Sequence, residues 1–308
     1  MRVSGFTIVR GGVRAGYPFE ASIRSLLPLV DEVVVSVGDD DDGTWEAVLA
    51  IADPKIRPFR TTWGVPTPGA GELSAQTNAA MARCQGTWGV YLQADEVLHE
   101  ADLEAIRRSM ARADRTDVEG LLFRYHHFWR HPALEVDAWH LFYPRAVRAV
   151  RLGCGVTSVG DAAGFARIAG GERRGLIKAH SGASVFHYGW CNEPDVQVVK
   201  HAALRRWYAE LEPVDLSPNR IFGAVPTRRF RGTHPAVMAG RLAHSEASQA
   251  CTRLRLPAWV RAGAQAVRSP RAAISWARPI LPVVYTNAWW RARGRWRRDR
   301  EQRTPASP

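Results

Sequence analysis

Between residues 3 and 127, short β-branched runs alternate with stretches of helical spacing, and this alternation restricts the possible folds more than any other feature of the chain. Val3 to Val9 reads as a strand, after which Phe19, Ile23, Leu26, Leu27 and Val30 recur at helical intervals. Val33 to Val37 is almost continuously apolar, as expected of a strand covered on both faces of a parallel sheet. Thr44 can cap a helix through Trp45, Val48 and Ile51; Lys55 to Arg60 reads as a third strand, Leu73 to Cys84 as an alanine-rich helix and Trp88 to Gln93 as a fourth strand. Leu103, Ile106 and Met110 mark another helix, and Glu119 to His127 another strand. The pattern predicts an α/β fold, a mostly parallel Rossmann-type sheet flanked by helices, with any site at the carboxyl ends of the strands.

Beyond residue 130 the pattern loosens into aromatic and glycine-rich stretches ending at His187-Tyr188-Gly189-Trp190. Pro194 then opens a helix with Val196, Val199, Ala203 and Trp207 on one face. Residues 1–211 are expected to form one domain, with 1–115 and 116–211 as its halves, 212–240 a linker or loop, and 241–308 a basic, Arg/Trp-rich appendage of short helical pieces. Of the net charge of +12, residues 241–308 account for nearly all: 14 Lys+Arg against 3 Asp+Glu, where the preceding 240 carry 28 against 27. The basic excess is a property of the tail, and does not establish nucleic-acid binding. Cys84, Cys154, Cys191 and Cys251 form no CxxC pair, which argues against a zinc knuckle or disulfide scaffold. The amino end has no leader-like pattern, and no run approaches about 18 apolar residues, so the expectation is a cytoplasmic protein without a spanning helix.

Two acidic turns carry the chemistry. One follows the second strand, Gly38-Asp39-Asp40-Asp41-Asp42-Gly43-Thr44; the other, Gln93-Ala94-Asp95-Glu96, ends the fourth. Oxygen ligands in such a place suit a hard divalent cation bridging a diphosphate, since Mg²⁺ takes one or two carboxylates plus substrate phosphates. The alternatives are an acidic helix start at Asp95-Glu96 and plain solvation of the four adjacent aspartates. Both turns end strands of one expected sheet and so converge on one edge.

The order of a strand ending Ile8-Val9-Arg10, a helix leading to Leu29-Val30-Asp31-Glu32-Val33, the turn Asp42-Gly43-Thr44, and the segment Asn78 to Glu96 resembles the donor half of the family 2 glycosyltransferases. The resemblance spans roughly residues 1–200 and is strongest from 1 to 110. It implies a GT-A-like fold and an enzyme, mostly of the inverting, metal-dependent kind, that uses a nucleotide-sugar donor. Arg10, Asp39, Asp40, Asn78 and Asp95 are the implied donor-binding residues. Asp95, joined by the late His187, is the implied ligand of a divalent cation, Mn²⁺ or Mg²⁺. Two positions depart from the family pattern: Gln93 stands for the first acid of Asp-x-Asp, and Val37-Gly38 where a base-binding acid is expected, leaving Asp39 as the nearest substitute.

An inverting transfer needs a carboxylate to take the acceptor's proton. Asp161, in the glycine-flanked Gly160-Asp-Ala-Ala-Gly164, stands where the family's acceptor-side acid is expected; Glu96, Asp137 and Glu119 are alternatives. Arg10, Lys178 and Lys200 are candidate phosphate partners. His126, His127, His131 and His140 match no helical ligand spacing and read as acceptor contacts or surface. In the tail, Trp289-Trp290-Arg291 through Arg298 interleaves aromatics and arginines, as at an anionic membrane surface or, alternatively, on RNA. The expected activity is sugar transfer from a nucleotide-diphosphate donor to a hydroxyl of a glycan or lipid-linked acceptor, in a cell-envelope setting. The competing readings are a non-catalytic GT-A-fold binding protein and an RNA-binding protein.

Overall fold

A computed structural model describes residues 1–64, 71–137, 142–207 and 225–243; of residues 194 and 204–207 only the backbone is described. Its central sheet is built on β1 (Val3–Val9) and β2 (Glu32–Gly38), both buried at every position. β3 (Ile56–Thr61) lies beyond β2 and β4 (Trp88–Tyr91) on the other side of β1, all parallel, giving the local order β3-β2-β1-β4. The register sets Val9 beside Val37 and Phe6 beside Tyr91, so these strands end together. The crossovers are α1 (Phe19–Leu26), α2 (Thr44–Leu49) and α3 (Gly71–Met81). Phe19, Ile23 and Leu26 of α1 enter the main core, as do Leu103, Ile106 and Met110 of α4 (Leu103–Ala113). The α/β class expected from the alternation is the one found, with boundaries shifted by a few residues.

The second half adds antiparallel pairings. β8 (Arg145–Arg151) runs antiparallel to β4 and to β6 (Gly120–Trp129), and β6 is antiparallel to β7 (His131–Val136). β12 (Lys178–Trp190) returns parallel to β6 and antiparallel to β5 (Glu96–Leu98), which places His187 beside the second acidic turn. β9 (Val156–Val159), β10 (Gly164–Ala169) and β11 (Glu172–Arg174) form a small separate sheet whose β9–β10 turn carries Asp161.

Two expectations need correction. The segment read as a linker is described from residue 225, and there it belongs to the fold: β13 (Thr227–Arg229) pairs with β7, and Met238 packs with Ala21, Phe128 and Phe186. The face of α5 (Pro194–Trp207) was also misassigned. Gln197, Lys200 and His201 are buried, whereas Val199 is 39% exposed and Ala203 is exposed. His140 and the Arg/Trp-rich segment 289–298 lie outside the described residues.

His201 packs beside Trp190, ring centroids 5.2 Å apart, and burial, with Lys200 adjacent, pushes its imidazole down to about 4. Between that value and the ordinary one near 6.5 the unfolded chain binds a proton that the native form does not. Its contribution to stability is therefore complete above about pH 6.5 and lost as the pH falls toward 4, by about 3 kcal/mol over the window. His201→Phe is expected to flatten the melting temperature against pH between 6.5 and 4; a wild-type slope retained in the variant would contradict this.

Candidate functional site

The carboxyl ends of β1, β2 and β4, the β9–β10 turn and α5 surround a cavity of about 870 Å³. Arg10, Asp39, Asp40, Asp95 and Asp161 lie on its wall, so the two acidic turns share one rim.

The four aspartates of the first turn have divided roles. Asp42 is a brace: its carboxylate accepts from the backbone N–H of Arg14 at 2.8 Å and from the Thr44 N–H at 3.1 Å. Thr44 Oγ1 in turn accepts from the Gly12 N–H at 2.8 Å, fastening the β1–α1 loop to the start of α2. Asp41 is almost fully exposed, and Asp40 pairs with the Arg14 guanidinium. Asp39 accepts from the Trp63 N–H at 3.1 Å and lies 3.6 Å from Arg10 Nε. The Arg10 guanidinium stands 5.7 Å from the centre of the Trp63 ring. Gly38 permits this closure, because a Cβ there would lie 2.5 Å from Trp63 Nε1 and 2.7 Å from Arg10 Cβ. A glycine at the position where an acid was expected thus leaves room for an aromatic and a guanidinium, with Asp39 beside them.

At the second turn Asp95 is buried, its Oδ2 2.9 Å from Lys200 Nζ and 3.6 Å from His187 Nε2. Burial alone would raise the carboxyl pKa; Lys200 and His187 outweigh it and hold Asp95 well below the usual carboxylate range. Lys200 Nζ also donates to the Gly189 carbonyl at 2.7 Å and sits 4.7 Å from the centre of Tyr17 and 5.6 Å from that of Trp190. A carboxylate, a carbonyl and two aromatic faces make a site for an ammonium. Gly189 is essential to it, since a Cβ would stand 2.8 Å from Lys200 Nζ and 2.9 Å from His187 Nε2 and collide with the Asp95 carboxylate.

Behind this group His127 Nε2 donates to the Tyr143 carbonyl at 2.9 Å, and its Nδ1 lies 3.1 Å from His187 Nδ1. Burial keeps His127 neutral by lowering its pKa well below 6.5. Its Nδ1 is therefore the acceptor, and His187 must donate from Nδ1, which turns Nε2 toward Asp95.

The donors for a divalent cation are then Asp95 and His187, with Gln93 in place of a second acid and an ammonium at hydrogen-bond distance. No group of three His, Cys, Asp or Glu side chains suited to a metal occurs among the described residues. Unit charges 4 Å apart near a protein surface interact by about 4 kcal/mol, so the ammonium would repel a dication at Asp95 by about twice that. These residues do not fit a divalent cation.

Asp161 accepts from the Ala163 N–H at 3.2 Å and faces the cavity. The alternative acids are placed elsewhere. Glu96 is fully buried and paired with Arg148 at 2.7 and 2.8 Å. Glu119 is held down to about 2 by Arg174, against burial and with further help from the Ile177 N–H and Arg167. Asp137 lies 4.0 Å from Arg228 beyond the end of β7. Asn78, expected at the nucleotide, instead ties α3 to β9: its Oδ1 accepts from the Ser158 N–H at 2.7 Å and its Nδ2 donates to the Ser158 carbonyl at 3.1 Å. Lys178 is exposed at the start of β12, outside the cavity wall. His126 pairs with Glu135 at 2.7 Å, also away from it.

Sequence reasoning did not single out Arg14, Tyr17, Trp63, Tyr143 or Trp190 as wall residues, nor the pairing of Lys200 with Asp95. The available signal for Lys200 was its place four residues after Val196, on the face assigned to the interior; a lysine there requires a buried partner.

No family model matches the chain, and no curated relative matches it. Among solved structures it is similar to S. aureus TarS, at 14% identity over 72% of this chain and 42% of that one, with a TM-score of 0.36. TarS 1–349 in complex with UDP-GlcNAc gives 13% identity over 72% of this chain and 71% of that one, TM-score 0.34. The 4-diphosphocytidyl-2C-methyl-D-erythritol synthase of Anaerococcus prevotii gives 13% over 49% and 70%, TM-score 0.32. The chain spans less than half the length of the first of these structures. At such identities and scores a shared substrate does not follow.

Proposed function

We propose that the protein is a glycosyltransferase that moves a sugar from a nucleotide-diphosphate donor to a hydroxyl of a glycan or lipid-linked acceptor, with inversion at the sugar carbon. The observation that carries this reading is the convergence of Asp39, Asp95 and Asp161 on one cavity at the strands' carboxyl ends, where open α/β sheets bind ligands. The volume, about 870 Å³, suits a nucleotide sugar. Asp39, Arg10 and Trp63 offer a carboxylate, a guanidinium and an aromatic ring to the nucleoside. Arg14 and Lys200 offer positive charge to the diphosphate. Asp161 stands on the opposing β9–β10 turn as the base.

In the reaction the acceptor oxygen forms its bond to the anomeric carbon as that carbon's bond to the diphosphate oxygen breaks. The bonding pair leaves with the nucleoside diphosphate, and the acceptor's proton goes to the Asp161 carboxylate. Cations on the wall stabilise the charge that develops on the leaving oxygen.

The test is release of nucleoside diphosphate from a panel of nucleotide sugars, with glycan and lipid-linked acceptors supplied. One donor is expected to be turned over, and Asp39→Ala should raise its KM by about tenfold or more, the loss expected for a hydrogen bond to a charged group. Saturable donor binding with no release under any condition would instead identify the non-catalytic binding protein that Gln93 suggests.

A further inference from the structure

We propose that Lys200 occupies the place of the divalent cation, so that the leaving diphosphate is gripped by a fixed ammonium and transfer proceeds without metal. Lys200 is given this role on the transferase reading above; the surroundings of its ammonium supply the chemistry. Nζ is held by Asp95 Oδ2 at 2.9 Å and by the Gly189 carbonyl at 2.7 Å, between the rings of Tyr17 and Trp190, yet Lys200 remains on the cavity wall. An ammonium has three N–H donors, and these two acceptors leave one for a phosphate oxygen. The pairing also accounts for the altered turn. With Gln93 in place of an acid, the single charge of Asp95 is balanced by the single charge of Lys200, where a dication would need more.

The helix that delivers the lysine supports the assignment. α5 turns Gln197, Lys200 and His201 inward while Val199 stays exposed, an arrangement that apolar packing alone would not favour. Gln197 Nε2 donates at 3.1 Å to the same Gly189 carbonyl that receives Lys200, so the helix docks on the acceptor that fixes the ammonium. When the bond between the anomeric carbon and the diphosphate oxygen breaks, the electron pair and the added charge remain on the diphosphate. The ammonium stabilises that charge by hydrogen bonding, without giving up its proton.

The test uses the full chain, inorganic pyrophosphate and Mn²⁺. Pyrophosphate titrated by calorimetry is expected to bind equally well with EDTA and with Mn²⁺, and Mn²⁺ alone should give no enhancement of water-proton relaxation. Lys200→Met should weaken pyrophosphate binding in EDTA by tenfold or more, and Mn²⁺ should restore part of it by entering between the released Asp95 and His187. Should that variant fail to fold, Lys200→Met combined with Asp95→Asn removes both charges together and leaves no buried ion unpaired. The double variant should lose pyrophosphate binding without rescue by Mn²⁺. Stoichiometric Mn²⁺ binding to the wild type, with pyrophosphate affinity abolished by EDTA, would overturn the proposal, as would pyrophosphate that binds under neither condition. Pyrophosphate binding that depends on Lys200 and ignores EDTA, in a protein that turns over no nucleotide sugar, would uphold the ammonium's role and dismiss the transferase reading alone.

Discussion

Glu96→Ala is expected to lower the unfolding free energy by about 3–5 kcal/mol, the cost of leaving one member of a buried ion pair without its partner. Arg148 and Glu96 are both fully buried, bound through two contacts of 2.7 and 2.8 Å. Glu96 also accepts from the Tyr125 hydroxyl at 2.8 Å and from the Gln93 N–H at 3.1 Å. Arg148 reaches the carbonyls of Val147 and Ala163 at 3.0 and 3.1 Å and lies 5.4 Å from the ring centres of Tyr91 and Tyr125. One pair thus ties the Gln93–Asp95 turn to the turn bearing Asp161, and removing it should loosen both sides of the cavity. Urea denaturation followed by circular dichroism measures the loss; a change below about 1 kcal/mol would mean that the pair is dispensable.

Asp161→Asn is expected to reduce kcat by about 10² to 10⁴, the usual contribution of a positioned general base, while leaving donor affinity unchanged. The amide keeps the shape and can still accept from the Ala163 N–H, so the β9–β10 turn should persist. Steady-state kinetics separate the outcomes: a fall in kcat at constant donor KM marks an interaction made in the transition state, whereas a rise in KM alone would reassign Asp161 to ground-state binding. Unchanged kcat would remove it from the chemistry.

The first half of the fold was legible because two simple rules govern it. Val33 to Val37 is covered on both faces and so is apolar except at Ser36, and the period change after it marks a crossover helix. Parallel strands with crossovers end on one edge, which is why Asp39 and Asp95 could be expected on one rim. The second half was less legible because its strands pair across long separations. Lys178–Trp190 adds beside Gly120–Trp129, and nothing in the local pattern reports that partner. The buried face of α5 was less legible for a different reason: hydrophobic spacing assigns the interior to apolar residues, yet α5 buries a lysine because Asp95, distant in sequence, neutralises it. Asn78 shows the converse, a polar residue at a suggestive position whose hydrogen-bonding capacity is engaged by the Ser158 backbone.

No helix among the described residues is long and apolar enough to cross a membrane.

The most direct measurement is an equilibrium titration of the wild-type protein with uridine-, guanosine-, adenosine- and cytidine-diphosphate sugars, with the matching nucleoside diphosphate as competitor. Saturable one-to-one binding of one donor, displaced by its own nucleoside diphosphate and weakened by Asp39→Ala, is the predicted result. Failure of every donor to bind at millimolar concentration would contradict the account.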